Sequence, residues 1–193
     1  MSAHLQLGLP PGLRPQAAAL YWQAFGGKLG RVMGPEAKAL AYLTRVIRDD
    51  HAIVALEGDR LLGLAGFRTP QGSFAVGDQA DLVAVHGAWG GAWRGALLRR
   101  LSSEVDNRNF LLDGLCVAEG HRGQGLGRAL MGAIAAEARL RGYPGIRLDV
   151  VRENTRARAL YARLGYAETK TQGIGLLRPF FGFAAAVTMV RDL

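Results

Sequence analysis

The stretch HRGQGLGRAL, residues 121–130, carries glycine at three alternate positions, Gly123, Gly125 and Gly127. It follows the apolar run FLLDGLCVA and precedes a segment with helical spacing of apolar residues. A glycine-rich turn between a strand and a helix points several backbone N–H groups at one place, where the helix dipole also favours an anion. Glycine is needed because a Cβ would hold the ligand away from the backbone. The pattern therefore predicts a pyrophosphate-binding loop.

Two common nucleotide-binding loops do not match this stretch. The P-loop pattern G-x-x-x-x-G-K-[ST] is absent from the sequence, and the three glycines do not follow the dinucleotide-binding pattern G-x-G-x-x-G. A glycine-rich turn that holds no ligand is the alternative interpretation of the glycines alone.

A second pattern, NTRARALYARLGY, spans residues 154–166 between Asn154 and Tyr166. Taken with Arg122-x-x-Gly125-x-Gly127 after a strand, it resembles the GNAT superfamily of N-acetyltransferases. In that family the first motif is the acyl-CoA pyrophosphate loop, and the second is an "N..A..LY..LGF" element. The two motifs stand in the family's order, separated by one helix and one strand. The resemblance is good over residues 110–168 and loose outside them. This chain has Glu119 at a position where the family often has proline.

The resemblance implies an acyltransferase that moves an acetyl group from acetyl-CoA directly to a primary amine of an unknown acceptor. It implies that the strand before the loop is splayed from its neighbour, so that backbone N–H groups meet the pantetheine arm and the thioester oxygen. A non-catalytic acyl-CoA sensor or scaffold of the same fold is the alternative function. The residues implied to bind acetyl-CoA are Leu115, Cys116, Val117, Arg122, Gly123, Gln124, Gly125, Leu126, Gly127, Arg128, Asn154 and Tyr161.

Two catalytic roles follow from that chemistry. By the resemblance, the Tyr161 phenol is the general acid that protonates the departing thiolate; a core tyrosine is the alternative. An attacking amine with a pKa near ~10.4 must lose a proton, and Asp113 is the first candidate for the base. Asp149 is the second candidate, and a carboxylate paired with an arginine is the alternative for Asp113. Strand periodicity does not separate the two, because a bulge would reverse the facing of the residues beyond it.

The elements that must position these residues follow from apolar periodicity and from glycine and proline signals. Helices are predicted over residues 16–27, 36–48, 91–105, 126–141 and 155–164. Strands are predicted over about residues 52–57, 61–68, 110–118 and 146–151, with a final antiparallel pair within residues 166–193. Residues 29–35 are predicted to be a turn and residues 70–80 a loop.

This order predicts a mixed α/β (α+β) fold. With the resemblance it implies the acyl-CoA N-acyltransferase fold, with a mixed central sheet of about six to seven strands, splayed in the middle, and flanking helices. The 193 residues fit a single GNAT-like domain. Within it, residues 1–109 are expected to shape the acceptor site, residues 110–168 to form the acetyl-CoA-binding core, and residues 169–193 to form the C-terminal strand pair.

The amino-acid composition argues against several other functions. The net charge of +8 comes mostly from arginines that are spread along the chain, which disfavours a nucleic-acid partner. No apolar run is long enough to span a membrane and no signal peptide is recognisable, so we expect a cytoplasmic protein without a membrane partner. The lone Cys116 and four scattered histidines predict no metal. Cys116 is expected to act as a small apolar side chain and not as an acyl carrier.

Aromatic residues cluster at two places outside the motifs. One cluster comprises Trp89 and Trp93, and the other comprises Phe180, Phe181 and Phe183. Such clusters form core, a subunit contact or a pocket wall. They are therefore compatible with a homodimer as well as with an apolar wall of the acceptor site.

Overall fold

The computed structural model of this chain describes residues 3–101 and 108–193. Its helices are α1 Arg14–Met33, α2 Glu36–Val46, α3 Gln79–Leu101, α4 Leu126–Leu140, α5 Thr155–Arg163 and α6 Arg178–Phe181. Its strands are β1 His4–Leu7, β2 Ala52–Glu57, β3 Arg60–Thr69, β4 Gly72–Ser73, β5 Phe110–Val117, β6 Gly145–Val151, β7 Ala167–Gly173 and β8 Ala185–Asp192. Across the described ranges, no helix has the length and apolar character needed to cross a bilayer.

The strands form one sheet in the order β1-β2-β3-β5-β6-β8-β7, with β4 paired to β3. Every pairing is antiparallel except that of β5 with β6, which is parallel. The mixed α/β class with flanking helices is confirmed. The sheet has eight strands instead of about six to seven, because β1 and β4 are short and β1 is mostly exposed, so neither shows an apolar pattern.

Two sequence predictions needed correction. Residues 29–33 continue α1 instead of forming a turn, and the helix ends at Gly34, whose φ is 79°. The predicted loop 70–80 contains β4 and the start of α3, which begins at Gln79 and breaks at Gly87. The helix predicted over 91–105 is helical as far as Leu101, and residues 102–105 of that prediction lie outside the described residues. The final antiparallel pair is β7 and β8, as predicted.

The sheet is covered on both faces by apolar side chains. Helices α4 and α5 cover one face through a cluster that includes Leu130, Ile134 and Tyr161. Helices α1 and α2 cover the other face through a second cluster that includes Leu20 and Leu43. Every residue of β7 is exposed, so this strand forms a solvated edge.

The centre of the sheet opens between β5 and β6. Only three residue pairs join these strands, from Phe110 with Ile146 to Leu112 with Leu148. Beyond Leu148, β6 remains paired with β8, whereas residues 114–117 of β5 are paired only with β3. The splay expected in the middle of the sheet is confirmed, and it leaves one edge of β5 open over five residues.

A bulge at Asp113 accompanies the opening. Gly66 of β3 pairs with Gly114, and Phe67 pairs with Leu112, so Asp113 is the extra residue. The bulge changes which residues face each side of the sheet. Before it, Phe110 and Leu112 pack on the α4 side; after it, Leu115 and Val117 do so. Cys116 packs on the α1 side. Without the extra residue, the even-numbered positions would have kept one face along the whole strand.

The site of the bulge yields a stability prediction. A Cβ at Gly66 would lie 2.6 Å from Cδ1 and Cγ of Phe74, and the Phe74 side chain is fully buried. We expect Gly66→Ala to lower the free energy of unfolding by about 1–3 kcal/mol, the usual cost of overpacking. Denaturant unfolding followed by circular dichroism measures the change.

Gly132→Ala is the matched control for this substitution. Gly132 lies within α4, is exposed, and has no heavy atom within 4 Å of the Cβ position. The same change there should raise the free energy of unfolding by about 0.4–1 kcal/mol, because alanine restricts the unfolded chain. Equal effects of the two substitutions would contradict the packing described for Gly66.

Candidate active site

The loop between β5 and α4 exposes a run of backbone amides. Gly123 and Gly125 have φ values of 80° and 85°, and no heavy atom of the described residues lies within 4 Å of a Cβ built on either one. Over the described part of the chain, the N–H groups of residues 123–128 have no protein acceptor. The nearest engaged amides in the chain are those of Arg122, bonded to Glu119 O, and Ala129, bonded to Gly125 O. Six consecutive donors at the start of α4 are thus available to an anion.

Two side chains of this loop donate to backbone carbonyl oxygens and do not contact those amides. Arg122 Nε donates to the carbonyl oxygen of Val117 at 3.0 Å, and Gln124 Nε2 donates to Gly120 O at 3.0 Å. Arg128 is exposed on the first turn of α4, and Leu126 packs against the α4-side core. The predicted loop residues therefore lie together, with Gly127 next to the side chains of Leu115 and Leu160.

Alternate amides of β5 point into the gap. The amide of Ala118 donates to Leu62 O of β3 at 2.8 Å. Successive amides of a strand point to opposite edges, so the Cys116 amide also points towards β3. The amides of Leu115 and Val117 therefore point towards the opening beside β6. Two of the three predicted strand residues present a donor there.

A cavity of about 1170 Å³ runs through this opening. Tyr161, Asn154 and Leu115 line it on the α4 and α5 side, and Tyr21 and Lys28 line it from α1. The remaining wall comes from β6, β7, β8 and the segment between β7 and β8. Because the cavity reaches both faces of the sheet, two molecules can meet at the gap from opposite sides.

Tyr161 lies on α5 and is 7% exposed. Burial raises the pKa of its phenol above the ordinary value, so the hydroxyl stays protonated at neutral pH. Its ring centroid lies 5.9 Å from that of Tyr166, whose hydroxyl is buried without a hydrogen-bond partner in the described residues. Burial also raises the pKa of Tyr166, to about 12. Of the two tyrosines, Tyr161 lines the cavity.

Asn154 begins α5, and its Oδ1 accepts from the Ala157 amide at 3.2 Å. This hydrogen bond caps the helix, and the residue also lines the cavity. Cys116 is 2% exposed among apolar side chains of the α1 face. Burial raises the pKa of its thiol, which suits the predicted role as a small apolar residue.

Asp113 lines the cavity but also holds the β3–β4 hairpin. Its Oδ2 accepts from Ser73 Oγ and from the Phe74 amide, and its Oδ1 lies 3.2 Å from Nη2 of Arg68. The arginine pairing considered from the sequence is therefore present. A carboxylate offers about four lone-pair sites, so these three contacts leave capacity for one further donor.

Asp149, the second base candidate, lines the same cavity from β6. Its Oδ1 accepts from Thr188 Oγ1 at 2.5 Å, and its Oδ2 lies 3.3 Å from Nη2 of Arg147. In register, Asp149 pairs with Thr188 of β8, and Thr188 pairs with Lys170 of β7. The carboxylate thus lies beside Arg147 of its own strand, and Lys170 lies two strands away in the same register.

Several residues of the site were not predicted from the sequence. Arg68, Ser73 and Thr188 hold the two carboxylates, and Lys28 lines the cavity from a part of α1 next to the predicted turn. None of them belongs to a motif. The aromatic wall was partly anticipated: Phe183 lines the cavity, whereas Trp89 is 91% exposed.

This chain resembles curated proteins in sequence and solved structures in fold. Streptothricin acetyltransferase of Streptomyces lavendulae is 34% identical over 93 residues, which cover 48% of this chain and 42% of that protein. The chain spans less than half the length of the curated relatives that it matches.

Solved structures share the fold. A GCN5-related N-acetyltransferase from Kribbella flavida superposes with a TM-score of 0.65 at 17% identity, over 100% of this chain and 98% of that one. A GNAT family acetyltransferase from Elizabethkingia anophelis with acetyl-CoA bound superposes with a TM-score of 0.50 at 12% identity, over 74% and 75% of the two chains.

The family comparison covers most of the chain. The model of the Acetyltransferase (GNAT) family matches residues 15–166, a range that includes the amide-rich loop, the open edge of β5 and Tyr161. On that match, and with the splayed sheet that the structure shows, this chain belongs to the GNAT acetyltransferase family.

Proposed function

We propose that this chain transfers an acetyl group from acetyl-CoA to a primary amine by direct attack of the amine on the thioester. The observation that carries the proposal is the run of six amides over residues 123–128, which lack a protein acceptor in the described chain and lie at the start of α4. Membership of the family supports the reaction class. The fold shared with a relative that holds acetyl-CoA supports the donor.

The roles of the residues follow from the chemistry of acyl transfer. The amides of residues 123–128 hold the pyrophosphate, with Arg122 and Arg128 nearby to offset its charge. The amides of Leu115 and Val117 donate to the thioester oxygen, where negative charge develops; one such donor contributes about 10²- to 10³-fold in other enzymes.

The bond changes and proton transfers balance within this site. A nitrogen–carbon bond forms between the amine and the acetyl carbonyl, and the carbon–sulfur bond breaks. Asp113 accepts the proton that the amine loses, and Tyr161 donates its phenolic proton to the departing sulfur. Because burial raises the pKa of Tyr161, the phenol carries its proton when the thioester binds, and this proton is the one passed to the sulfur.

The loop amides provide the first test. A Cβ at Gly125 would project into the space in front of the amides, where no protein atom lies within 4 Å. We expect Gly125→Ala to weaken acetyl-CoA binding at least about tenfold, equivalent to about 1.4 kcal/mol. Isothermal titration calorimetry with acetyl-CoA measures the change.

Gly142→Ala is the control for backbone strain. Gly142 also has a positive φ, 75°, with no atom within 4 Å of its Cβ position, and it lies at the other end of α4. Both alanines bear the cost of a left-handed backbone, about 1–2 kcal/mol. Only the Gly125 variant should lose affinity, and an equal loss in both would show that the loop amides do not bind the ligand.

The role of Tyr161 as general acid is tested by comparing substitutions of Tyr161 and Tyr166. Tyr161→Phe should lower kcat by about 10²- to 10⁴-fold, the usual contribution of a general acid, with acetyl-CoA affinity retained. Tyr166→Phe removes a hydroxyl of similar burial outside the cavity and should leave kcat unchanged. Release of free thiol during steady-state turnover gives both values. Undiminished turnover by Tyr161→Phe would remove the tyrosine from the reaction.

The base is tested by two amide substitutions. We expect Asp113→Asn to lower kcat/KM by at least about 10²-fold, because an amide cannot accept the proton. Asp149→Asn should lower it less. Ser73→Ala, which removes a hydrogen bond to Asp113 but keeps the carboxylate, controls for disturbance of the hairpin. The reverse pattern in the two aspartate variants would assign the base to Asp149.

The non-catalytic alternative is separated by one further assay. The protein is mixed with acetyl-CoA and a broad panel of primary amines, and thiol release is recorded. Binding of acetyl-CoA without transfer to any amine would indicate an acyl-CoA-binding module of the same fold. Absence of acetyl-CoA binding by calorimetry would overturn both functions.

A further inference from the structure

Lys28 is a half-buried cation in the wall of the cavity. It lies on α1, and its Nζ stands 5.6 Å from the centroid of the Phe25 ring. Over residues 3–101 and 108–193, no carboxylate lies within 4.0 Å of that nitrogen. Glu153, which contributes favourably from farther away, has its Oε1 occupied by the Ala184 amide at 3.2 Å. A partly desolvated ammonium without an anionic partner is costly unless a ligand supplies one.

The cavity has more cationic than anionic side chains. Its acidic residues are Asp113 and Asp149, and each already faces an arginine, Arg68 or Arg147. Lys28 and Lys170 line the same cavity in addition. A ligand that fills this space therefore meets an excess of positive charge, which disfavours a polycationic acceptor and favours one with an acid group.

The surroundings of Lys28 are apolar, which strengthens its attraction to an anion. Phe25, Leu29, Leu177 and Phe183 line the cavity from α1 and from the segment between β7 and β8. Charges interact more strongly where apolar walls exclude water. The lysine ammonium is a compact charge with three donors on a flexible stem, so it can reach an acid group such as a carboxylate within the cavity.

Resting on the acetyl transfer proposed above, we propose that the acceptor carries a carboxylate beside its amine and that the Lys28 ammonium binds that carboxylate. The acceptor class is an amino acid or a related amino-carboxylic acid with an apolar body. Burial lowers the pKa of Lys28, as expected for an ammonium that has no anion against it, and a bound carboxylate would reverse this effect.

Matched acceptors test the carboxylate in turnover. L-Phenylalanine and L-phenylalaninamide share an amine and an apolar body and differ in the acid group; leucine and its amide form a second pair. We expect kcat/KM to favour each acid over its amide by about tenfold or more, the usual size of a charge-assisted contact. Lys28→Gln should abolish the preference mainly through KM of the acid, and Lys28→Arg should restore part of it. Lys38→Gln, an exposed lysine of α2 outside the cavity, should change neither.

Ligand binding without turnover separates this inference from the acetyl transfer itself. N-acetyl-L-phenylalanine and its amide are titrated into the protein with and without CoA, and binding is followed by NMR chemical shifts. The acid should bind more tightly than the amide, and Lys28→Gln should remove the difference even if no amine is acetylated. Equal binding of the two ligands, or an equal effect of Lys28→Gln on both, would overturn the carboxylate assignment. Failure of transfer with intact acid binding would overturn only the acetyl transfer.

Discussion

The open edge of β5 is the constraint on which the rest of the site depends. This strand has eight residues in extended conformation, yet it pairs with β6 over only three of them. Backbone donors without an acceptor are costly when water is excluded. The amides of Leu115 and Val117 are therefore stable only if water or a ligand accepts their hydrogen bonds. The fold thus maintains donors whose partner must enter between two strands, and the loop amides of residues 123–128 continue the same set beyond the end of the strand.

The bulge at Asp113 links this opening to the two faces of the sheet. It turns Leu115 and Val117 to the α4 side and leaves Cys116 on the α1 side. It also directs the Asp113 carboxylate to Arg68 and to the β3–β4 hairpin. The extra residue therefore determines which side chains border the gap. It also places the carboxylate that supports the strand lining the gap. In the proposed reaction, acetyl-CoA on the α4 side and the amine on the α1 side meet at this gap.

Burial affects two of the ionisable groups that line the cavity in a consistent way. It raises the pKa of the Tyr161 phenol and lowers the pKa of the Lys28 ammonium, and both shifts favour the neutral form. Tyr161 therefore keeps its proton at neutral pH. In the proposed reaction this proton passes to the sulfur, and in the proposed acceptor complex a carboxylate compensates the charge of Lys28.

The local features of the site were predictable from residues that lie near one another in the sequence. The glycine spacing of residues 123–127 indicated an open, amide-rich turn, because positive φ angles and free space at Cβ depend on the residue type itself. Asn154 as a helix cap and the bounds of β2 and α4 follow equally from nearby residues. Tertiary packing, which buries Val32 and Met33, extends α1 through its glycines to Met33. It also decided which amides of β5 face the gap, which arginine pairs with Asp113, and that Lys28 lines the cavity. These features join residues that are far apart in the chain, and one bulged residue in β5 reverses the facing of every position after it, which no local pattern encodes.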